Sequence, residues 1–157
     1  MITTKKTRLT SKELFFILVK GYVKKRWWLL LWTIFIGFIT IKDGFQDTLD
    51  VFIFLLVVLY LILILFQFWR YPNLEDNKLF LAERYYEIEE EKMNAIIDED
   101  TFSTINHRHF IKYYLINEVY LLYLSRNQFI YIPIKSFKSE DDLQWFKDKV
   151  LSNLKKK

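Results

Sequence analysis

The sequence predicts a membrane α+β protein: a two-helix transmembrane hairpin followed by a small antiparallel β-domain closed by a C-terminal helix. Three observations predict it. Two long apolar stretches occupy the first half of the chain. Positive charge is concentrated in front of the first. From about residue 79 the hydrophobic pattern becomes strand-like. Hydrophobic residues make up 52% of the 157 residues and aromatics 19%, yet 27% are charged, so the apolar content is concentrated rather than spread.

The first stretch, residues 27–41, has fifteen residues without a charge, and the second, residues 51–69, has nineteen with Gln67 as its strongly polar member. About 20 apolar residues span a bilayer core of roughly 30 Å. The second stretch meets that length alone. The first gains length if Lys24, Lys25 and Arg26 snorkel. A secretion signal would end at a small-residue cleavage site. Lys42-Asp43-Gly44 follows the first stretch instead. A soluble core around the second would need apolar cover on all sides, more than the remaining residues supply.

Flanking charge sets the expected orientation. Residues 1–26 carry eight Lys/Arg against Glu13, a net +7, and abut the first stretch. Arg70 follows the second. The connecting loop, 42–50, is net acidic and is expected outside. Trp27, Trp28, Trp69 and Tyr71 fall at one end of the hairpin, where amphipathic rings prefer the interface. With Lys24, Lys25 and Arg26 they are the candidate membrane-interface residues. The expectation is a bacterial cytoplasmic (inner) membrane protein with both termini in the cytoplasm. Its organisation is a basic arm and amphipathic helix over 1–26, a hairpin over 27–71 and a β-domain over 72–157.

Within the arm, Thr10 and Glu13 have capping-box spacing. The helix they start either lies on anionic headgroups or continues into the first span; continuation is the simpler expectation. No ionisable residue lies inside either span, which argues against a pump or carrier. Pro72, lacking an N–H, is expected to end the second helix.

Beyond it, residues 81–90, 94–98, 101–105, 111–116, 119–125 and 129–132 read as strands. Asp98-Glu99-Asp100 and Ser125-Arg126-Asn127-Gln128 read as turns. Ser139 is a good N-cap, with Glu140, Asp141 and Asp142 at the positive end of the helix dipole and Lys155-Lys156-Lys157 at the other. Leu143, Phe146, Val150 and Leu154 recur at helical spacing and are expected on the sheet, with Trp145 partly exposed.

The segments Tyr120–Ser125, Phe129–Pro133 and Phe137–Leu143 resemble the C-terminal domain of the YcxB-like bacterial membrane proteins, and Arg84–Ile88 looks like its opening strand. The resemblance implies a two-helix membrane hairpin preceding a pleckstrin-homology-like (PH-like) β-domain. The chain departs from the family pattern at His107 and Ile134. The family implies no general activity.

The chemistry-bearing residues are few. There is no cysteine, hence no disulfide and no thiolate metal site. His107 and His109, if on a strand, would face one way and could share a metal given a third ligand. A solvated strand end or sheet core is the preferred reading. Glu89-Glu90-Glu91 and Asp98-Glu99-Asp100 alternate faces and read as a solvated edge and turn. Glycines occur only at 21, 37 and 44, outside the β-domain, so no phosphate-cradling loop is expected there. Tyr85, Tyr86, Tyr113, Tyr114, Tyr120, Tyr123 and Tyr131 read as sheet packing more than a ligand surface. Residues 70–157 carry 14 basic and 15 acidic groups, so a nucleic-acid partner is not expected. No catalytic, metal or cofactor site is assigned. The expected function is a non-enzymatic inner-membrane binding or regulatory protein. Its partners would be the lipid bilayer, a protein and, as an open alternative, further copies of itself. A specific form is an immunity protein against a membrane-acting toxin. The alternative is a ligand-sensing two-helix effector of a defence system that permeabilises the membrane.

Overall fold

The computed structural model describes residues 1–42, 44–45, 47–125 and 128–154, with the side chain of Asp76 left aside. The chain is α+β and separates into two units, Met1–Leu9 with Leu81–Lys157, and Thr10–Phe80.

The helical unit starts where the spacing of Thr10 and Glu13 predicts. Thr10 N–H donates to Glu13 Oε2 (2.8 Å) and Glu13 N–H to Thr10 Oγ1 (3.2 Å). Two orphan donors of the first turn are thereby satisfied. Helix α1, Ser11–Lys42, consists of two helical segments joined at Arg26, whose backbone (φ −128°, ψ 27°) is not helical. The arm helix therefore meets the first apolar stretch across a break at Arg26. Asp47 caps α2 (Thr48–Arg70) by accepting from Leu49 and Asp50 N–H. Beyond Arg70 the chain tightens into a 3₁₀ turn, Tyr71–Asn73, with Pro72 inside it. Asp43 and Gln46, within the 42–50 loop, lie outside the described residues.

The hairpin faces are set by side-chain size. Gly37 and Thr40 of α1 are buried, and a methyl added at Gly37 would sit 3.6 Å from Val57 of α2. Thr33 and Thr40 turn their hydroxyls onto the carbonyls of Leu29 and Ile36. The bulky residues point outward: Trp32, Ile34, Phe38, Phe52, Leu55 and Ile62 each expose more than half their surface.

The β-unit opens with a strand that the sequence reading placed in a basic arm. Strand β1 (Ile2–Thr3) pairs antiparallel with β2 (Tyr85–Ile88), followed by β3 (Lys92–Ile96) and β4 (Phe102–Asn106) in one sheet of order β1-β2-β3-β4. A second sheet holds β5 (Lys112–Ile116), β6 (Val119–Tyr123) and β7 (Phe129–Pro133), in that order. All pairings are antiparallel. The sequence-stated arm of residues 1–26 is thus divided: its first nine residues belong with the β-unit and the rest with the helices. Thr4 N–H donates to Tyr86 O while Thr4 Oγ1 accepts the Tyr86 N–H, and beyond them Thr7 and Arg84 donate to each other's carbonyls (2.8 and 2.9 Å). The whole helical unit is inserted between β1 and β2.

The core draws on both sheets and the last helix. Tyr86, Ile88 and Met93 from one sheet meet Leu122 and Ile132 from the other, with Phe146, Val150 and Leu151 closing the cluster. Helix α3 (Glu140–Phe146) is capped as expected, Ser139 Oγ accepting from Asp142 N–H at 3.1 Å. It passes into a π-helical turn, Lys147–Leu151, which brings Leu151 inward beside Val150. Leu143 and Leu154 pack on the core, as does Trp145, which the helical stripe alone would not have placed there. Lys155–Lys157 lie outside the described residues. The turns follow their side chains. Asp98 Oδ1 accepts from Asp100 and Thr101 N–H. Leu124 and Ser125 N–H both reach Gln128 O, although Arg126 and Asn127 between them lie outside the described residues.

Candidate functional site

The residues assigned to a membrane interface gather at one end of the hairpin. Trp27, Trp28 and Trp69 each expose more than half their surface, and Lys24, Lys25 and Arg26 are exposed beside them. The Arg26 guanidinium lies 5.6 Å from the Tyr22 ring centroid, and Tyr22 meets Phe68 edge-on at 5.5 Å. The basic cluster at the Arg26 kink and Trp69 are therefore neighbours in space, 43 positions apart in the chain. Tyr71 is half-buried in the 3₁₀ turn, its carbonyl accepting from Asn77 Nδ2 at 2.7 Å.

One helix among the described residues, Thr48–Asn73, is long and apolar enough to cross a membrane. Residues 27–41 form the second half of the 32-residue α1. The outward side of that half, lined by Trp27, Trp28, Leu31, Trp32 and Phe35, is apolar and open.

The histidines do not share a face. The strand before them ends at Asn106, whose side chain accepts from Arg108 N–H (3.1 Å) and closes a 3₁₀ turn over His107–His109. A turn residue that caps overrides strand alternation. His107 is drawn inward: its Nδ1 lies 3.1 Å from Glu90 O, and its ring stacks on Phe110. Facing a carbonyl, Nδ1 carries the proton. Its Nε2 is buried with no hydrogen-bond partner among the described residues. Burial lowers its pKa below the usual imidazole value, opposed by the Glu90 bond. His109 is exposed. Among the described residues no three His, Asp or Glu side chains converge to hold a metal.

The acidic runs are turns, with Glu90 paired to Lys149 at 2.8 Å and Glu89 near Lys92 at 3.6 Å. The tyrosines divide between core and surface. Tyr86, Tyr120 and Tyr131 are buried, and burial raises each hydroxyl above the ordinary phenol range. Tyr86 donates to Tyr131 O. Arg84, 8% exposed, stands over the Tyr131 ring at 5.2 Å. Tyr114 and Tyr123 meet edge-on at 5.4 Å beneath the Lys112 ammonium.

A surface the sequence did not single out lies on the outer face of the four-stranded sheet. There Tyr85, Ile96 and Phe102 pair in one row across β2, β3 and β4. Asn94 and Thr104 form the next row, joined by a 2.8 Å bond from Thr104 Oγ1 to Asn94 Oδ1. These rows floor a trough of about 470 Å³ walled by Asp98 and Glu99, and Lys6 borders the adjoining recess. The signal was present in the alternation of 102, 104 and 94, 96, but the concavity comes from pairing three strands. Compared with protein-family models, curated proteins and solved structures, the chain matches none.

Proposed function

We propose that the chain is a membrane-anchored binding protein. Its helical unit crosses the bilayer twice as a hairpin, and its β-unit stays on the side where the basic residues lie, the cytoplasm of a bacterium. The observation that carries this reading is the pairing of Thr7 with Arg84. The chain leaves the β-unit and returns to it at adjacent hydrogen-bonded positions, so an excursion through a membrane must cross an even number of times. If Thr48–Arg70 crosses, α1 crosses too, despite its shorter apolar run. Two properties support the bilayer as the excursion's solvent. The outward side chains of both helices are large and apolar, a patch that soluble monomers rarely expose. Lys24–Arg26 and Trp69 meet at one end, as interfacial anchors do. The membrane hairpin with a PH-like β-domain of the YcxB-like pattern is the family form of this proposal.

The chain has no native cysteine, so single-cysteine labelling tests the topology cleanly. With a membrane-impermeant maleimide on spheroplasts, Thr48→Cys labels from outside, and Ser11→Cys and Glu99→Cys label only after permeabilisation. Labelling of Ser11→Cys and Glu99→Cys from opposite sides would refute the hairpin. Toxin protection with harmless overexpression supports the immunity form of the reading; lethal overexpression supports the effector form.

A further inference from the structure

We propose that the free edge of β4 and the trough beside it form a docking site for an extended peptide segment of a partner protein. The segment carries large apolar residues on one face and basic residues at its end.

The edge is open by construction. β4 is the last strand of its sheet. Ile97 N–H donates to Thr101 O and His107 N–H to Glu91 O, so residues 101 and 107 face β3. In an antiparallel ladder such positions alternate. With Phe102 opposite Ile96 and Thr104 opposite Asn94, the N–H and C=O groups of Phe102 and Thr104 therefore point away from the sheet. They form a short template for one more strand.

The edge also lacks the usual protection. Sheet edges are normally blunted by shortness, lysine or proline. β1 has two residues, β5 carries Lys112 and β7 ends on Pro133. Phe102-Ser103-Thr104 has none of these, and Phe102 is 64% exposed. Its ring continues the Tyr85–Ile96 row into the trough. An added strand would place one apolar side chain beside Phe102, continuing this row, and the next same-face side chain beside Thr104, while its backbone paired with both residues.

Charge selects the occupant. The turn bounding the trough carries Asp98, Glu99 and Asp100, and none of the three makes an ion pair among the described residues. Lys92, which also lines the trough, stands 3.6 Å from Glu89, and basic residues at the end of the segment that passes this turn would complement the acidic wall. The proposal rests on the binding reading above only in taking the β-unit as the module that recognises partners.

The test uses the full chain in phosphatidylcholine nanodiscs, a zwitterionic bilayer that does not attract the probe. The probe is a fluorescein-labelled octapeptide with phenylalanine or valine alternating with threonine and two lysines at its end. Fluorescence anisotropy is expected to show saturable, salt-sensitive binding, and a proline-interrupted peptide of the same charge should not bind. Phe102→Ser, which empties the row, and Thr104→Pro, which deletes the outward N–H, should each weaken binding roughly tenfold. Amide resonances of Phe102 and Thr104 in the unmodified protein should shift on peptide addition, a readout independent of how the variants fold. No binding, no shift of those amides, or equal affinity in both folded variants would overturn the proposal. So would disulfide-linked dimers of Ser103→Cys forming through this edge, which would assign it to a second copy. None of these outcomes alters the cysteine-labelling pattern, so the topology stands or falls separately.

Discussion

Replacing Thr4 by valine removes one oxygen at the joint where the N-terminal segment meets the sheet. Thr4 is 3% exposed, and its Oγ1 accepts the Tyr86 N–H at 2.8 Å. Its own N–H donates to Tyr86 O at 2.9 Å and is untouched by the change. Valine has nearly the same shape, so packing is retained while the Tyr86 N–H is left buried without an acceptor. Such an orphaned donor costs about 1–3 kcal/mol. For a domain of roughly 60–100 residues each kcal/mol lowers Tm by about 4–8 °C. Thermal unfolding of the detergent-solubilised chain, followed by near-ultraviolet circular dichroism, should show a fall of at least about 4 °C. Thr4→Ser, which keeps the oxygen and loses the methyl, should fall less. Hydrogen exchange gives the local readout, since the Tyr86 amide should lose protection in Thr4→Val. If valine is no worse than serine and Tyr86 stays protected, the threonine oxygen is not what fastens β1 to β2.

Two further substitutions read the structure elsewhere. Asn117 and Glu118 turn from β5 to β6 with φ of 51° and 60°. The left-handed region costs a non-glycine residue about 1–2 kcal/mol, partly offset for glycine by its freer unfolded chain. Glu118→Gly should therefore stabilise by roughly 0.5–1 kcal/mol, read as a higher denaturation midpoint at unchanged slope. At His107 the depressed pKa means the folded state resists the proton that the unfolded state takes up near pH 6.5. Stability should be unaffected above that pH and decline as pH falls from it towards the folded pKa. His107→Asn, which retains a donor towards Glu90 O, should remove this part of the decline in urea melts between about pH 5 and 7.

The elements legible in the sequence were those written locally. The capping box of Thr10 and Glu13, the Ser139 cap, the Asp98 turn and the strands from Tyr85 to Ile132 each carry their signal within a few residues. Boundaries moved by one to four positions where turns claimed strand ends, as at residues 81–84. Strand β1 was illegible because Ile2 and Thr3 show no period and their partners, Ile88 and Glu87, lie across the helices. The basic charges around them pointed to an arm instead. The 3₁₀ turn over His107–His109 was not legible because the Asn106 side chain, just past the expected strand end at 105, closes it. The aromatics and cations assigned to an interface were read from composition and flanks, and Trp27, Trp28, Trp69 and Lys24–Arg26 are exposed in the structure. The trough was not legible, because Tyr85, Ile96 and Phe102 become neighbours only through the register of three strands.

The placement of the helices between β1 and β2 also orders events during synthesis. Thr4 must wait for Tyr86, 82 residues later. At about 5–20 residues per second this is a delay of roughly 4–16 s. Throughout it β1 has no partner strand, because β2 has not yet been made. On the proposed topology, a chain whose first helix failed to cross would leave its opening residues and its sheet in different compartments, and the four-stranded sheet could not close. Closure of the sheet would then report that both crossings had succeeded.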